Sequence, residues 1–295
     1  MARMALLFAW LAAASAGCSS SMPLPPKAIA LNTAGARAIA VGDFAAAEAS
    51  LSVALEYSPR FVEAWINLGY VELTRGNFEQ ARRDFVRARE LNRQIPAPFH
   101  ALGVLAERQG QIALAEGQYR AALRIDPGFA PARANLARCL FARGQYENAR
   151  EQFERLAQVA PDALEGWTGQ IEALGQLGRA TQAEGIAVAA RQRFGDTPAL
   201  MLLVARQLLD RGDWREAEAA LASIVGGADR PRAGVAWAWI GVARVGLGDV
   251  NGARSAARQA LAIDRDDPVA ALVMARTGGA PPVLEGQVEG WRARR

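Results

Sequence analysis

Along most of this chain, apolar residues spaced three and four apart are interrupted by glycines at regular intervals. The breaks fall at Gly42, Gly76, Gly110, Gly144, Gly178, Gly212 and Gly248, with successive gaps of 34, 34, 34, 34, 34 and 36 residues. An apolar stripe with that spacing marks one buried side of an amphipathic helix, and a fixed period marks a repeat array. Ahead of the second glycine the stripe runs through Trp65, Leu68 and Gly69. Each break is followed, five residues on, by an alanine: Ala47, Ala81, Ala115, Ala149, Ala183, Ala217 and Ala253. Four residues later comes a larger apolar side chain at Leu51, Phe85, Tyr119, Phe153 and Leu221, and a small one at Ala187 and Ala257. The pattern predicts helical hairpins. Glycine ends the first helix in a left-handed conformation, and alanine sits where the second helix crosses closest. Proline, at Pro59, Pro127 and Pro161 and a little later at Pro96, Pro198 and Pro268, is expected to stop the second helix.

The spacing resembles the tetratricopeptide repeat, with its signature W-x2-L-G-x2-Y, then A-x3-F, then P. Trp65, Leu68, Gly69, Ala81 and Phe85 carry the resemblance in one unit, and Leu102, Gly103, Ala115, Tyr119 and Pro127 in the next. It implies an all-α, right-handed superhelical solenoid over residues 28–276, with seven units at 28–61, 62–95, 96–129, 130–163, 164–197, 198–231 and 234–267. Pro268 to Arg276 is expected as a capping helix, and residues 277–295 as a disordered tail. Ile171 stands where the first helix of unit five should be small, and units five and seven have small second-helix residues, so packing there is expected to be looser or locally reshaped. The insertion at 226–232 is turn-rich and is expected to be a hinge.

Composition narrows the function more than it defines it. Of 295 residues, 51% are hydrophobic and 22% charged, enough to bury a core. The net charge of +4 is spread along the chain, and Lys27 is the one lysine. No basic stripe marks a nucleic-acid reader. Two cysteines and one histidine leave no metal-ligand or catalytic pattern. We therefore expect no catalytic residue, cofactor, metal or small-molecule substrate. His100 reads as a surface histidine and Cys139 as a core filler. Asp264, Asp266 and Asp267 read as a solvated turn. Trp65, Trp167, Trp214 and Trp237 read as core, Trp239 as core or groove edge, while Trp291 has no packing explanation.

Residues 1–17 read as an export signal: Arg3, an apolar run from Met4 to Ala14, then Ser15, Ala16 and Gly17. The apolar run is shorter than the roughly 20 residues a spanning helix needs. Ala16-Gly17-Cys18 resembles the end of a bacterial lipoprotein box, with Ser15 where leucine is usual. That resemblance implies lipidation of Cys18 and, with Ser19 after it, an outer-membrane lipoprotein facing the periplasm. Cleavage after Ala16 would instead give a soluble periplasmic protein. Residues 18–27, with serines and prolines, read as a tether.

In tetratricopeptide solenoids the first helices line a groove, and the family's groove positions fall here on Asn32, Ile66, Asn67, Tyr70, Leu73, His100, Val104, Arg108, Arg138, Phe141, Leu202 and Arg206, with Ile29, Glu107 and Leu209 beside them. The resemblance implies a protein partner, a peptide segment or helix, held by arginines and apolar pockets. With the lipobox it points to lipoproteins that assist pilus or secretion-channel assembly. Scaffolds of exopolysaccharide export and soluble periplasmic adaptors are the alternatives. If Cys18 is lipidated, the protein should fractionate with membranes and Cys18→Ala should release it; a wild-type protein found wholly in the soluble periplasmic extract would mean cleavage after Ala16.

Overall fold

A computed structural model of the chain describes residues 23–227 and 229–278. These form helices throughout, with fifteen among the described residues. In chain order they are α1 (Pro26–Ala40), α2 (Phe44–Tyr57), α3 (Val62–Arg75), α4 (Phe78–Leu91), α5 (Pro96–Arg108), α6 (Ile112–Ile125), α7 (Ala130–Ala142), α8 (Tyr146–Val159), α9 (Leu164–Gln176), α10 (Ala180–Phe194), α11 (Pro198–Arg211), α12 (Trp214–Val225), α13 (Arg230–Gly246), α14 (Val250–Ile263) and α15 (Pro268–Arg276). Two compact units divide at residue 143: α1–α7 belong to the first and α8–α15 to the second. In the first, α1/α2, α3/α4 and α5/α6 pair as hairpins, α7 packs on α6, and α1, α3 and α5 lie side by side. In the second, α9/α10, α11/α12 and α13/α14 pair likewise, α8 packs on α9, and α15 packs on α13 and α14.

The turns follow the sequence. All seven break glycines take positive φ, from 69° at Gly178 to 84° at Gly76, the region a side chain disfavours. At Gly76 the amide also closes the end of α3 by donating to the Leu73 carbonyl (3.2 Å). The alanine five residues later has no exposed surface in any of the seven repeats. The hairpins close tightly because small residues of the odd-numbered helices face large ones of the even-numbered helices. A methyl group added to Gly69 would lie 2.5 Å from the Phe85 ring, and one added to Gly103 would lie 2.4 Å from Tyr119. Gly35 stands in the same relation to Leu51, at 2.6 Å.

Several local expectations change. Unit five is locally reshaped rather than loose: Ile171 is buried, and Ala187 on the facing helix makes room for it in one cluster with Leu174 and Leu200. The bulk has moved from one helix to the other. In unit seven both sides are small and the backbones approach instead, since a methyl on Gly241 would sit 3.4 Å from the Ala253 carbonyl oxygen. Pro96, Pro198 and Pro268 start helices rather than stop them, each at the first turn of α5, α11 and α15. That position suits a residue with fixed φ and no amide hydrogen. The insertion before unit seven becomes an extra turn of α13, which begins at Arg230 under an Asp229 cap. Pro26 and Lys27, assigned to the tether, open α1. Cys18, the export signal and Trp291 lie outside the described residues.

The crossing alanines give a direct check. Ala81→Leu or Ala115→Leu should cost about 1–3 kcal/mol through overpacking. The melting temperature of each variant measures it, and curves that overlay the wild type would remove the assigned register.

Candidate protein-binding surface

Ten of the twelve groove positions lie on α1, α3, α5 and α7 of the first unit; Leu202 and Arg206 lie on α11 of the second.

In the first unit these helices are joined by hydrogen bonds between side chains. Asn67 donates its amide to Asn32 Oδ1 at 2.9 Å, linking α3 to α1. His100 on α5 touches both neighbours: Nδ1 is 3.3 Å from the Tyr70 hydroxyl and Nε2 is 3.0 Å from Asn135 Nδ2. Arg138 donates to Asn135 Oδ1, which orients that amide. Asn135 Nδ2 is then the donor to His100 Nε2, and the imidazole carries its hydrogen on Nδ1, pointed at the Tyr70 oxygen. Tyr119 and Phe129 flank the ring, each with its centroid 5.7 Å away.

His100 is therefore not the surface histidine expected from sequence: it is 6% exposed. Burial, with the Arg138 charge second, lowers its pKa to about 4. Ile66 and Leu73, proposed as groove pockets, are core residues of the α3–α5 cluster, and Asn32 is buried in its pair with Asn67. Seams between neighbouring odd-numbered helices close over these side chains, so they shape the surface without offering it. Tyr70 is half-buried, its ring edge-on to Phe85 at 5.2 Å, and burial raises its pKa. Asn67, Val104 and Phe141 are half-buried, while Arg108 and Arg138 are exposed. What remains on this face is polar and cationic with modest apolar patches. Such a surface suits a segment carrying carboxylates.

Beneath it, Glu107 accepts a 2.8 Å hydrogen bond from the Tyr119 hydroxyl and lies 4.0 Å from Cys139 Sγ. Burial and then the Glu107 charge push the Cys139 thiol up to about 11, so it stays protonated, in keeping with its role as a core filler. In the second unit, Leu202 and Leu209 are half-buried and Arg206 is exposed. Burial raises the Glu172 pKa on α9, opposed by the Arg206 charge. Trp239 packs between the α11–α13 cluster and the α13–α15 cluster. Asp264 and Asp267 turn and cap the chain: they accept from the Asp266 amide (3.0 Å) and the Ala270 amide (2.8 Å).

Two features escape sequence reasoning. One is the set of hydrogen-bonded pairs, whose members stand 35 residues apart at Asn32–Asn67 and His100–Asn135. The other is an ion pair between a second helix and the next first helix, recurring at one fixed separation along the chain. It joins Glu48 to Arg75 at 2.6 Å, Glu116 to Arg143, and Glu184 to Arg211 at 2.9 Å. Searching the sequence for Glu and Arg 27 apart, at fixed repeat positions, would find it.

The profile of the tetratricopeptide repeat matches residues 106–170 in one form and 32–95 and 202–268 in another, together about two thirds of the chain. The chain belongs to the tetratricopeptide-repeat family. It is 32% identical over 102 residues to the type IV pilus assembly protein PilF of Pseudomonas aeruginosa, covering 35% of this chain and 39% of that protein. It is 28% identical over 120 residues to anaphase-promoting complex subunit 3 of Schizosaccharomyces pombe, covering 41% of this chain and 18% of that protein. The chain thus spans well under half the length of these curated relatives. The solved structure of a tetratricopeptide repeat protein from Parabacteroides merdae superposes with a TM-score of 0.62 at 16% identity, covering 86% of this chain and 100% of the other. That of Pseudomonas aeruginosa PilF gives 0.59 at 21% identity, covering 73% and 97%. These two likenesses establish the fold.

The buried titrating groups set a pH prediction. His100, at about 4 in the fold against 6.5 when free, leaves the unfolded chain binding more protons between those values. Its contribution to stability is lost as pH falls through that window, by up to about 3 kcal/mol. Asp84, 1% exposed and raised to about 6 by burial against a Gln80 hydrogen bond, acts in the opposite sense and favours folding as pH falls from 6 to 4. Denaturant unfolding at pH 7 and pH 4.5 should therefore show Asp84→Asn losing stability more steeply on acidification than the wild type, and His100→Asn less steeply.

Proposed function

We propose that this protein is a non-catalytic scaffold of the bacterial cell envelope, anchored through a lipid on Cys18, that binds a protein partner and assists assembly of a pilus or secretion channel. The observation that carries the reading is the likeness to the type IV pilus assembly protein PilF, which is found both in sequence and in fold. Tetratricopeptide arrays act by holding other proteins on their stacked hairpins. The surface left accessible on the first unit, Asn67, Tyr70, Val104 and Phe141 beside Arg108 and Arg138, suits an extended or helical segment with acidic side chains. Lipidation would place that surface in the periplasm against the outer membrane.

Arginine anchors at interfaces of this kind are each worth about 2 kcal/mol or more, over tenfold in affinity. A variant with Arg108→Glu and Arg138→Gln should stay folded and membrane-associated, with a melting temperature lowered only by what the Arg138–Asn135 hydrogen bond contributes, and lose the partner recovered by crosslinking from envelopes. Pilus assembly should fail with it. Equal recovery by variant and wild type would exclude this surface, and normal pili in a deletion strain would exclude the pathway.

A further inference from the structure

Large apolar side chains left exposed are unevenly placed on this chain. Of the ten among the described residues, four gather at one end of the first hairpin. Leu24 stands just ahead of α1, Ile29 lies in its first turn, and Val53 and Tyr57 lie in the last two turns of α2. Since α1 and α2 pair as a hairpin, the start of one lies beside the end of the other. Their exposures run from 36% at Leu24 to 53% at Tyr57. The core of the hairpin is closed without them, by Ala28, Leu51, Ala54 and Leu55. Val53 and Tyr57, one turn apart, point away from the side of α2 that carries Ala47, Leu51 and Ala54 against α1. At the other end of the hairpin Val41 is the one member of the ten.

The chain also says what lies close to that end. Pro26, where α1 begins, follows Cys18 by eight residues, so even a fully extended backbone keeps it within about 28 Å of that cysteine. The Val41 end is further off by the 15 residues of α1, about 22 Å of helix.

We infer that the Leu24–Tyr57 end of the first hairpin rests in the interface of a lipid bilayer, with Leu24, Ile29, Val53 and Tyr57 among the headgroups. The inference rests on the proposed lipid on Cys18 and goes beyond it, because an anchor fixes one point of the chain and this contact fixes how the first unit stands. The tether brings the bilayer within reach of this end in every molecule, which makes lipid the occupant rather than a second copy. A tyrosine suits the place, since its ring takes the apolar side and its hydroxyl keeps water. Charge decides what kind of contact it is. Lys27, Arg60 and Arg93 are matched there by Glu56, Glu63 and Glu90, all exposed. The edge is therefore not polybasic, and the apolar four carry the contact whatever the headgroup charge. The first hairpin then stands away from the bilayer, with Val41 on the aqueous side.

Fluorescent labels on the lipidated full-length protein, reconstituted into vesicles of phosphatidylethanolamine and phosphatidylglycerol, test this orientation. Tyr57→Cys and Val41→Cys, each made with Cys139→Ala, give one label at each end. A nitroxide held just below the lipid headgroup should quench most of the emission at residue 57 and little at residue 41. High salt, or vesicles without phosphatidylglycerol, should leave that contrast unchanged, because screening acts on charge and not on apolar contact. Ile29→Glu with Val53→Glu should reduce the quenching at residue 57 to the level at residue 41. Flotation with the vesicles and the melting temperature should stay as they were, since both side chains are exposed and the anchor is untouched. Flotation with equal quenching at the two ends would overturn the inference and leave the anchor standing, whereas protein that does not float would remove both. A blue shift at residue 57 that grows with protein concentration in detergent, without vesicles, would also overturn it, since a second copy would then be the cover.

Discussion

Two helices of this chain can lie against each other only where one of them gives up its side chain, and this trade recurs through the structure. Gly35, Gly69 and Gly103 yield to Leu51, Phe85 and Tyr119, and the crossing alanines of the second helices yield in return. In the fifth unit the trade is reversed, Ile171 against Ala187, with burial kept on both sides. Because the interior is packed to near crystal density, volume has to be conserved across the crossing while its owner is free to change. The side-by-side placement of the first helices follows from this closeness, and the surface that could meet a partner is what those helices leave uncovered.

The hairpins, their turns and the buried alanines are legible in the sequence because each repeats at 34 residues and depends on neighbours within one hairpin. The surface is less so. His100 reads wrongly from sequence because its environment comes from Tyr70, Tyr119, Phe129 and Asn135, on three other helices and a loop, and no local pattern announces that meeting. Ile66 and Leu73 mislead for a related reason: family positions that line a groove in the abstract are covered here by the particular side chains of the next repeat. Helix starts at proline are ambiguous because proline ends one helix and opens the next with equal ease, and only the loop length decides which.

The polar bridge from Tyr70 to Arg138 gives the proposed binding surface a rigid underside. A guanidinium tied to Asn135 and, through it, to a neutral imidazole has fewer conformations to lose when it meets a carboxylate. The opposed titrations of His100 and Asp84 act on the same unit in contrary directions, so acidification between pH 6.5 and 4 changes its stability less than either group alone would.

The ion pairs between repeats carry a different period from the core they sit on. Glu48, Glu116 and Glu184 recur in every second repeat, as do their partners Arg75, Arg143 and Arg211, while Glu147–Arg179 and Glu218–Arg244 use other spacings. The Glu48–Arg75 and Glu184–Arg211 pairs, exposed or half-exposed, are worth only about 0–1 kcal/mol each, whereas Glu116 is buried beneath Arg143. The shortest stretch after which the core and the charge pattern both return is then a pair of hairpins, so a change in length by one such pair would keep the packing and the charges in step.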